Sequence, residues 1–163
     1  MWKRHDLPGH EACRVLPIDT GWQIADTATL ASDGQACRLD YVIDCDPQWL
    51  TRSAAVSGWM GRREVDVKVV RNEYGQWLLN ARECDQVAGC TDIDLNFSPS
   101  TNLLPIRRLN LQVGEAAQVR AASPLITFLP PTGVYLFSRA IPEIVDCSSF
   151  SDISRTYIKS AAA

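Results

Sequence analysis

The sequence predicts a mainly β protein built as a single curled antiparallel sheet, a β-roll or open barrel, with at most one or two short helices. Several segments alternate apolar and polar residues with the period of two that is typical of strands. Turn-forming pairs such as Asp33-Gly34 lie between these segments at the short spacing of hairpins. The chain has 163 residues, so residues 1–163 are expected to form one β-roll domain.

The first half of the chain predicts an edge arm and three strands, separated by turns that contain proline or glycine: residues 2–7, 11–16, 22–30 and 36–45. The third of these segments places Asp26 on the same face as Trp22, Ile24 and Leu30. An unpaired buried carboxylate costs several kcal/mol, so Asp26 needs either a partner or a solvated surface.

The second half predicts five more strands, with a polar loop at residues 81–90: residues 49–59, 63–71, 76–80, 92–97 and 118–122. Segment 49–59 is predicted to place Trp49, Thr51 and Trp59 on one side and Arg52 on the other. Neither side is cleanly polar, as expected for a sheet that curls around other residues. The result is a meander of six to nine strands.

Residues 92–111 form the central segment of the prediction, around which the other elements are arranged. Alternation predicts a strand at residues 92–97, and residues 98–102 stop it, because proline lacks an N–H and Ser, Thr and Asn bond nearby backbone groups. One short helical turn is predicted at residues 101–108, with Pro105 in its first turn. If Arg107 and Arg108 lay on a strand, they would point to opposite faces, so one of them would need an acidic partner or an opening to solvent.

Composition excludes several classes of function. The formal net charge is −3 and charged residues make up 21% of the chain, so no basic field attracts nucleic acid. No apolar run is long enough for a spanning helix, and no apolar region of the signal-peptide type follows the first basic residues. A cytoplasmic protein is expected.

The cysteines are expected to be reduced thiols. The six are scattered, without a Cys-x-x-Cys pair: Cys13, Cys37, Cys45, Cys84, Cys90 and Cys147. Cys37 and Cys45 are interpreted as small core residues of one strand. A disulfide between Cys84 and Cys90 is considered and disfavoured.

No metal or cofactor site is predicted. The two histidines, His5 and His10, are too few to build a metal centre without other converging ligands. No Gly-x-Ser-x-Gly elbow, glycine-rich phosphate loop or Walker lysine occurs. No catalytic residue is therefore assigned, and binding is favoured over catalysis. Asp92 and Asp94 keep one alternative open, since two carboxylates on one strand face could hydrolyse a sugar- or acyl-containing substrate.

Arginines beside tryptophans give the strongest indication of a ligand site. Arg52, Arg107 and Arg108 could form a structural network with Asp26, Asp92 or Asp94. Alternatively, their planar guanidinium groups could hold an anionic or hydroxyl-rich headgroup at the mouth of an apolar groove. Among the five tryptophans, Trp49 and Trp77 could stack on a sugar or line a lipid tunnel, although core positions are expected for most.

The run DIDLNFSPSTNLLPIRRL that begins at Asp92, with Trp-Leu-Thr-Arg upstream at residues 49–52, resembles a bacterial family labelled "putative glycolipid-binding". The resemblance covers roughly residues 2–122. It implies a curled antiparallel β-roll similar in shape to bacterial lipoprotein-carrier proteins, and it is the source of the ligand class.

Together these observations predict a non-catalytic protein that binds a glycolipid or another amphiphile in the groove of a curled sheet. Six residues are the candidate ligand contacts: Trp49, Thr51, Arg52, Asn102, Arg107 and Arg108. An interaction module that uses an open sheet edge is a further alternative. The sequence leaves open a homodimer, and whether the chain after Ala122 completes the roll.

Overall fold

The computed structural model describes residues 2–3, 8–32, 34–124 and 150–158. They form eleven strands and one α-helix: β1 (Trp2–Lys3), β2 (Gly9–Ile18), β3 (Gly21–Ser32), β4 (Gln35–Cys45), β5 (Thr51–Met60), β6 (Arg63–Arg71), β7 (Trp77–Leu79), β8 (Arg82–Glu83), β9 (Asp92–Ile93), α1 (Leu103–Leu109), β10 (Ala116–Pro124) and β11 (Phe150–Ile158). Short 3-10 turns lie at Asp85–Val87 and Pro99–Asn102. The predicted mainly β class, with few short helices, is confirmed.

Strands β1 to β8 form one antiparallel sheet in which every strand pairs with its neighbours in sequence. This sheet is the predicted meander, and it is curled without closing into a barrel. A second, three-stranded sheet has the order β11-β10-β9, with β10 antiparallel to β11 and parallel to β9. Strand β11, which lies beyond Ala122, thus pairs with β10 in this second sheet.

The core lies on one face of the large sheet, called here the inner face. In β4, Leu39, Tyr41 and Ile43 are buried while the residues between them are more exposed, as the alternation predicts. Residues 92–109, called here the covering segment, pack against this face and bury Leu95 and Leu104 completely. Side chains of the covering segment thus occupy the concave side of the sheet where an apolar groove was expected.

Strand β5 begins two residues later than predicted, and its register shifts near its start. Cys45 pairs with Thr51, but Asp44 pairs with Ser53, so Arg52 is an extra residue in the ladder. Such a bulge reverses the face to which the following side chains point. Thr51 is consequently buried with the core instead of sharing the outer side with Ser53.

The covering segment departs furthest from its predicted form. Strand β9 has two residues, not six, and both Asp92 and Asp94 are buried, so the exposed face that alternation assigned to them is absent. Helix α1 confirms the predicted helical turn, with Pro105 as its third residue. Arg107 and Arg108 therefore lie on a helix, where successive side chains differ in direction by about 100°.

The expectation for the cysteines is partly wrong. Cys90 is a reduced thiol, so the Cys84–Cys90 pair is not formed, but Cys84 is disulfide-bonded. Cys37 and Cys45 are buried reduced thiols, as predicted. His5 and Cys147 lie outside the described residues. Of the helices that the structure describes, none has the length and apolar character needed to cross a membrane.

Candidate functional site

Two tryptophans and an arginine form a layered arrangement at one end of the sheet. Trp22 lies near the start of β3 and Trp49 in the turn between β4 and β5. Their ring centroids are 4.9 Å apart and the rings are nearly parallel, at 16°. The Cζ atom of Arg107 lies 5.7 Å from the centroid of the Trp49 ring, within the range of a cation–π contact. We call these three residues the aromatic stack.

The turn before β5 fixes the position of Trp49. The Asp46 carboxylate accepts hydrogen bonds from the backbone N–H groups of Gln48 and Leu50, each at 2.9 Å. The N–H of Trp49 donates to the carbonyl oxygen of Asp46 at 3.0 Å. Trp49 has a φ of 67°, an uncommon conformation for a bulky residue. Such strain costs on the order of 1–3 kcal/mol and often occurs at functional sites.

The guanidinium group of Arg107 is available to a ligand. The Arg107 side chain is exposed, and within the described part of the chain it interacts only with the Trp49 ring. Its five N–H donors keep their capacity for a carboxylate, sulfate or phosphate. The aromatic face below restricts the orientations of the guanidinium group, which lowers the entropy cost of forming such a bond.

Arg108 points toward the protein instead. Its Nε donates to Asp92 Oδ1 at 3.2 Å, and its Nη2 bonds Asp92 Oδ2. The Asp92 side chain is 1% exposed and the Arg108 side chain 20%. This two-point ion pair ties α1 to β9. The acidic partner expected for one of the two arginines is therefore present, although a helix and not a strand separates their directions.

The other predicted contacts occupy different surroundings. Thr51 is fully buried, and its Oγ1 accepts a hydrogen bond from the backbone N–H of Ile93 at 3.2 Å. Asn102 is half-buried at the N-cap position of α1. Arg52 is exposed in the bulge of β5. The structure thus brings Trp49 and Arg107 into contact. Thr51 holds the covering segment to the large sheet, and Arg108 ties the two ends of that segment together.

A buried group of oxygen atoms, called here the carboxyl cluster, lies beneath the covering segment. The hydroxyl of Tyr41 is 2.6 Å from Glu11 Oε1 and 3.0 Å from Asp26 Oδ2. The hydroxyls of Ser98 and Ser100 also contact it, and the Ser98 hydroxyl donates to Glu11. Residues from β2, β3, β4 and the covering segment therefore meet at this one point.

The electrostatics of the carboxyl cluster favour a bound proton. Burial, and then the adjacent carboxyl of Asp26, raise the pKa of Glu11 from 4.5 to about 7. Burial, and then the charges of Asp26 and Glu11, raise the pKa of the neighbouring Cys13 thiol to about 11. Among the described residues, no lysine or arginine bonds to the cluster, and Asp26 Oδ1 has no hydrogen-bond donor.

The acidic residues give no evidence of a metal centre or hydrolytic pair. Within the described chain, no three His, Cys, Asp or Glu side chains converge as metal ligands would. Asp92 is occupied by Arg108, and Asp94 Oδ1 accepts the backbone N–H of Asn96 at 2.7 Å. Both carboxylates thus have structural roles.

Sequence reasoning missed Trp22 and Glu11. The alternation places Trp22 on the same face as Ile24 and Leu30, but no local pattern shows that a turn 27 residues further on would bring Trp49 against it. Glu11 carries no local signal, since it is simply the first residue of the segment predicted as a strand at residues 11–16. The requirement that Asp26 have a partner was a valid signal for a cluster, although it did not identify the partners Tyr41 and Glu11.

Comparison with known proteins gives one family and one similar structure. A family model described as "Putative glycolipid-binding" matches residues 1–123. A crystal structure of a DUF1089 family protein from Pseudomonas aeruginosa is similar, with a TM-score of 0.69 and 23% sequence identity, over 98% of this chain and 75% of the other. At this identity the likeness shows the fold alone. No curated protein matches the chain.

Proposed function

Because the chain belongs to the putative glycolipid-binding family, we propose that it binds a glycolipid or another amphiphilic, lipid-like molecule without chemical conversion. The aromatic stack is the proposed contact for the headgroup. This assignment keeps Trp49 and Arg107 from the residues predicted by sequence and adds Trp22.

The observation that carries the proposal is the exposed guanidinium group of Arg107 above the ring of Trp49. A surface arginine is usually placed to bond an acidic neighbour or is free to move in solvent. Arg107 has neither an acidic partner among the described residues nor full freedom, since the ring restrains it. A restrained guanidinium group with unused N–H donors is suited to bind an anionic or hydroxyl-rich group.

Exposed apolar residues lie close to Arg107 in sequence and would accommodate the start of an acyl chain. Ile106 precedes Arg107 on α1 and is 51% exposed, and Val113 follows the helix at 61%. A cation and exposed apolar residues in one short segment match the two parts of an acidic amphiphile. Thr51 would act as a support because it holds the covering segment that carries Arg107 to the sheet, and Arg108 because it ties α1 to β9.

The proposal is tested by co-sedimentation with vesicles that contain a sulfated or an uncharged galactosylceramide. Arg107→Ala should weaken binding to the sulfated lipid about 10- to 100-fold, because one charge-assisted contact contributes about 1.5–3 kcal/mol. Arg107→Lys should restore only part of the affinity, since an ammonium lacks the planar fork.

The matched control is Arg62→Ala, which removes an exposed arginine from the turn between β5 and β6. We expect it to bind like the wild type. If Arg62→Ala and Arg107→Ala lose affinity equally, the attraction is nonspecific and the site is wrong. If the wild type binds neither lipid in any vesicle, the proposed ligand class is wrong.

A further inference from the structure

The outer face of the large sheet, opposite the core, carries side chains in ordered rows across the strands. One row is an apolar strip with a cation at each end: Arg14, Ala25, Val42, Ala55 and Lys68. The adjacent row is mostly polar: Ala12, Thr27, Asp40, Ser57 and Asp66. The residues of each row are directly paired, so neighbouring side chains in a row lie about 5 Å apart.

A groove of about 360 Å³ follows these two rows between β2 and β5. Its volume is in the lower part of the range for small-molecule sites. Ala12, Ala25 and Ala55 leave the floor low, because each side chain is a single methyl group. Alanine is depleted in strands relative to β-branched and aromatic residues, so three alanines around one groove need a reason other than strand stability.

Both sides of the apolar strip carry carboxylates in fixed positions. On one side, Thr27 Oγ1 donates to Asp40 Oδ1 at 2.7 Å, and Arg38 Nη2 lies 2.8 Å from Asp40 Oδ2. On the other side, Gln23 Nε2 donates to Asp44 Oδ1 at 2.9 Å. A carboxylate has about four lone-pair sites, so both groups can still accept hydrogen bonds from a ligand.

Arg14 supplies a cation at the β2 end of the strip. Its side chain is exposed, and within the described part of the chain it has no hydrogen-bond or ion-pair partner. Arg14, the small apolar floor and the Asp40 carboxylate thus line one open groove, and Asp44 lies in the row beside it. A fatty acyl chain would match the floor but would form no hydrogen bond with the carboxylates or with Arg14.

We propose that this groove is a saccharide-binding site for a sugar that carries a carboxylate. One face of a pyranose ring is apolar and packs on Ala25, Val42 and Ala55. The ring hydroxyls donate to Asp40 and Asp44, and the sugar carboxylate accepts from Arg14. The groove shares no residue with the aromatic stack. This site therefore goes beyond the proposed function and can be tested independently of it.

The test is a titration of the ¹⁵N-labelled protein, followed by amide chemical shifts, with lipid-free trigalacturonic acid or with neutral maltotriose. Saturable shifts should occur for the acidic sugar at residues of the groove, such as Thr27, Val42 and Ser57. Arg14→Gln should weaken this binding about tenfold, as one charged hydrogen bond is lost. Ala55→Leu should abolish it by filling the floor.

Two variants serve as controls, Arg62→Gln and Arg107→Ala, and both should keep the affinity of the wild type. Because Ala55 is exposed, Ala55→Leu should fold normally, as its amide spectrum will report. The proposal is overturned if the acidic sugar causes no saturable shift, or if the shifts map to residues around Trp49. Equal binding of both sugars that Arg14→Gln leaves unchanged would also overturn it.

Discussion

Glu11 and Asp26 bring two carboxyl groups together, and within the described part of the chain no basic residue bonds to either of them. Coulomb repulsion and burial both disfavour two charges there. The hydroxyls of Tyr41, Ser98 and Ser100 provide three protons, but none removes a net charge. A proton bound to Glu11 therefore lowers the net negative charge of this buried cluster.

The raised pKa of Glu11 predicts the direction of a pH effect on stability. The folded protein binds this proton with a pKa of about 7 and the unfolded chain with the ordinary value of 4.5. Below pH 4.5 both states are protonated, so the contribution of this proton to the free energy of unfolding is fully present there. That contribution is lost as the pH rises through 7. The loss amounts to about 3 kcal/mol.

Urea denaturation at pH 5 and pH 8 measures this pH-dependent contribution of Glu11 to the free energy of unfolding. The wild type should be less stable at pH 8, and Glu11→Gln should remove most of the difference, because glutamine stays neutral. Glu64→Gln, at an exposed position of β6, is the control and should leave the difference intact. An unchanged pH dependence in Glu11→Gln would show that another group carries it.

At the scale of elements, prediction succeeded where one face of a strand is buried and the other is not. Strand β6 begins and ends at the predicted residues, and β4 differs by one residue. It failed at residues 92–97, because Asp92 and Asp94 are buried along with Ile93 and Leu95. In this segment the alternation of polar and apolar residues does not separate exposed from buried side chains, because both kinds are buried.

The ion pair between Arg108 and Asp92 predicts unequal effects for its two partners. Arg108→Ala leaves a carboxylate that is 1% exposed and should cost about 3–5 kcal/mol. Asp92→Asn leaves an arginine that is 20% exposed, which can turn toward water, and should cost about 1–3 kcal/mol.

Thermal or urea unfolding of the two single variants and the double variant tests this asymmetry. The double variant should be more stable than Arg108→Ala, since no buried charge remains. Arg107→Ala, the neighbouring position, should cost less than about 1 kcal/mol. Equal costs for Arg108→Ala and Asp92→Asn would mean that burial of the carboxylate does not decide the energy.

At the scale of the whole molecule, the sequence predicted the sheet but only part of the candidate site. Hairpins arise from neighbouring residues, so turn pairs and alternation are sufficient to predict them. The contacts of the site join distant residues: 87 positions separate Glu11 from Ser98, and the stack joins Trp49 to Arg107. Such contacts depend on how the covering segment lies across the sheet, which no local pattern contains.

The meander order of β1 to β8 has a kinetic consequence. Each hairpin closes a short loop, whereas the covering segment must find partners far away in the chain, and ordering a long loop slows folding. The sheet should therefore assemble first and the covering segment should dock on it late. In pulsed hydrogen exchange during refolding, amides of β4 and β5 should become protected before that of Asp94, which bonds the carbonyl of Ala122. Simultaneous protection would instead indicate that the covering segment helps to nucleate the sheet.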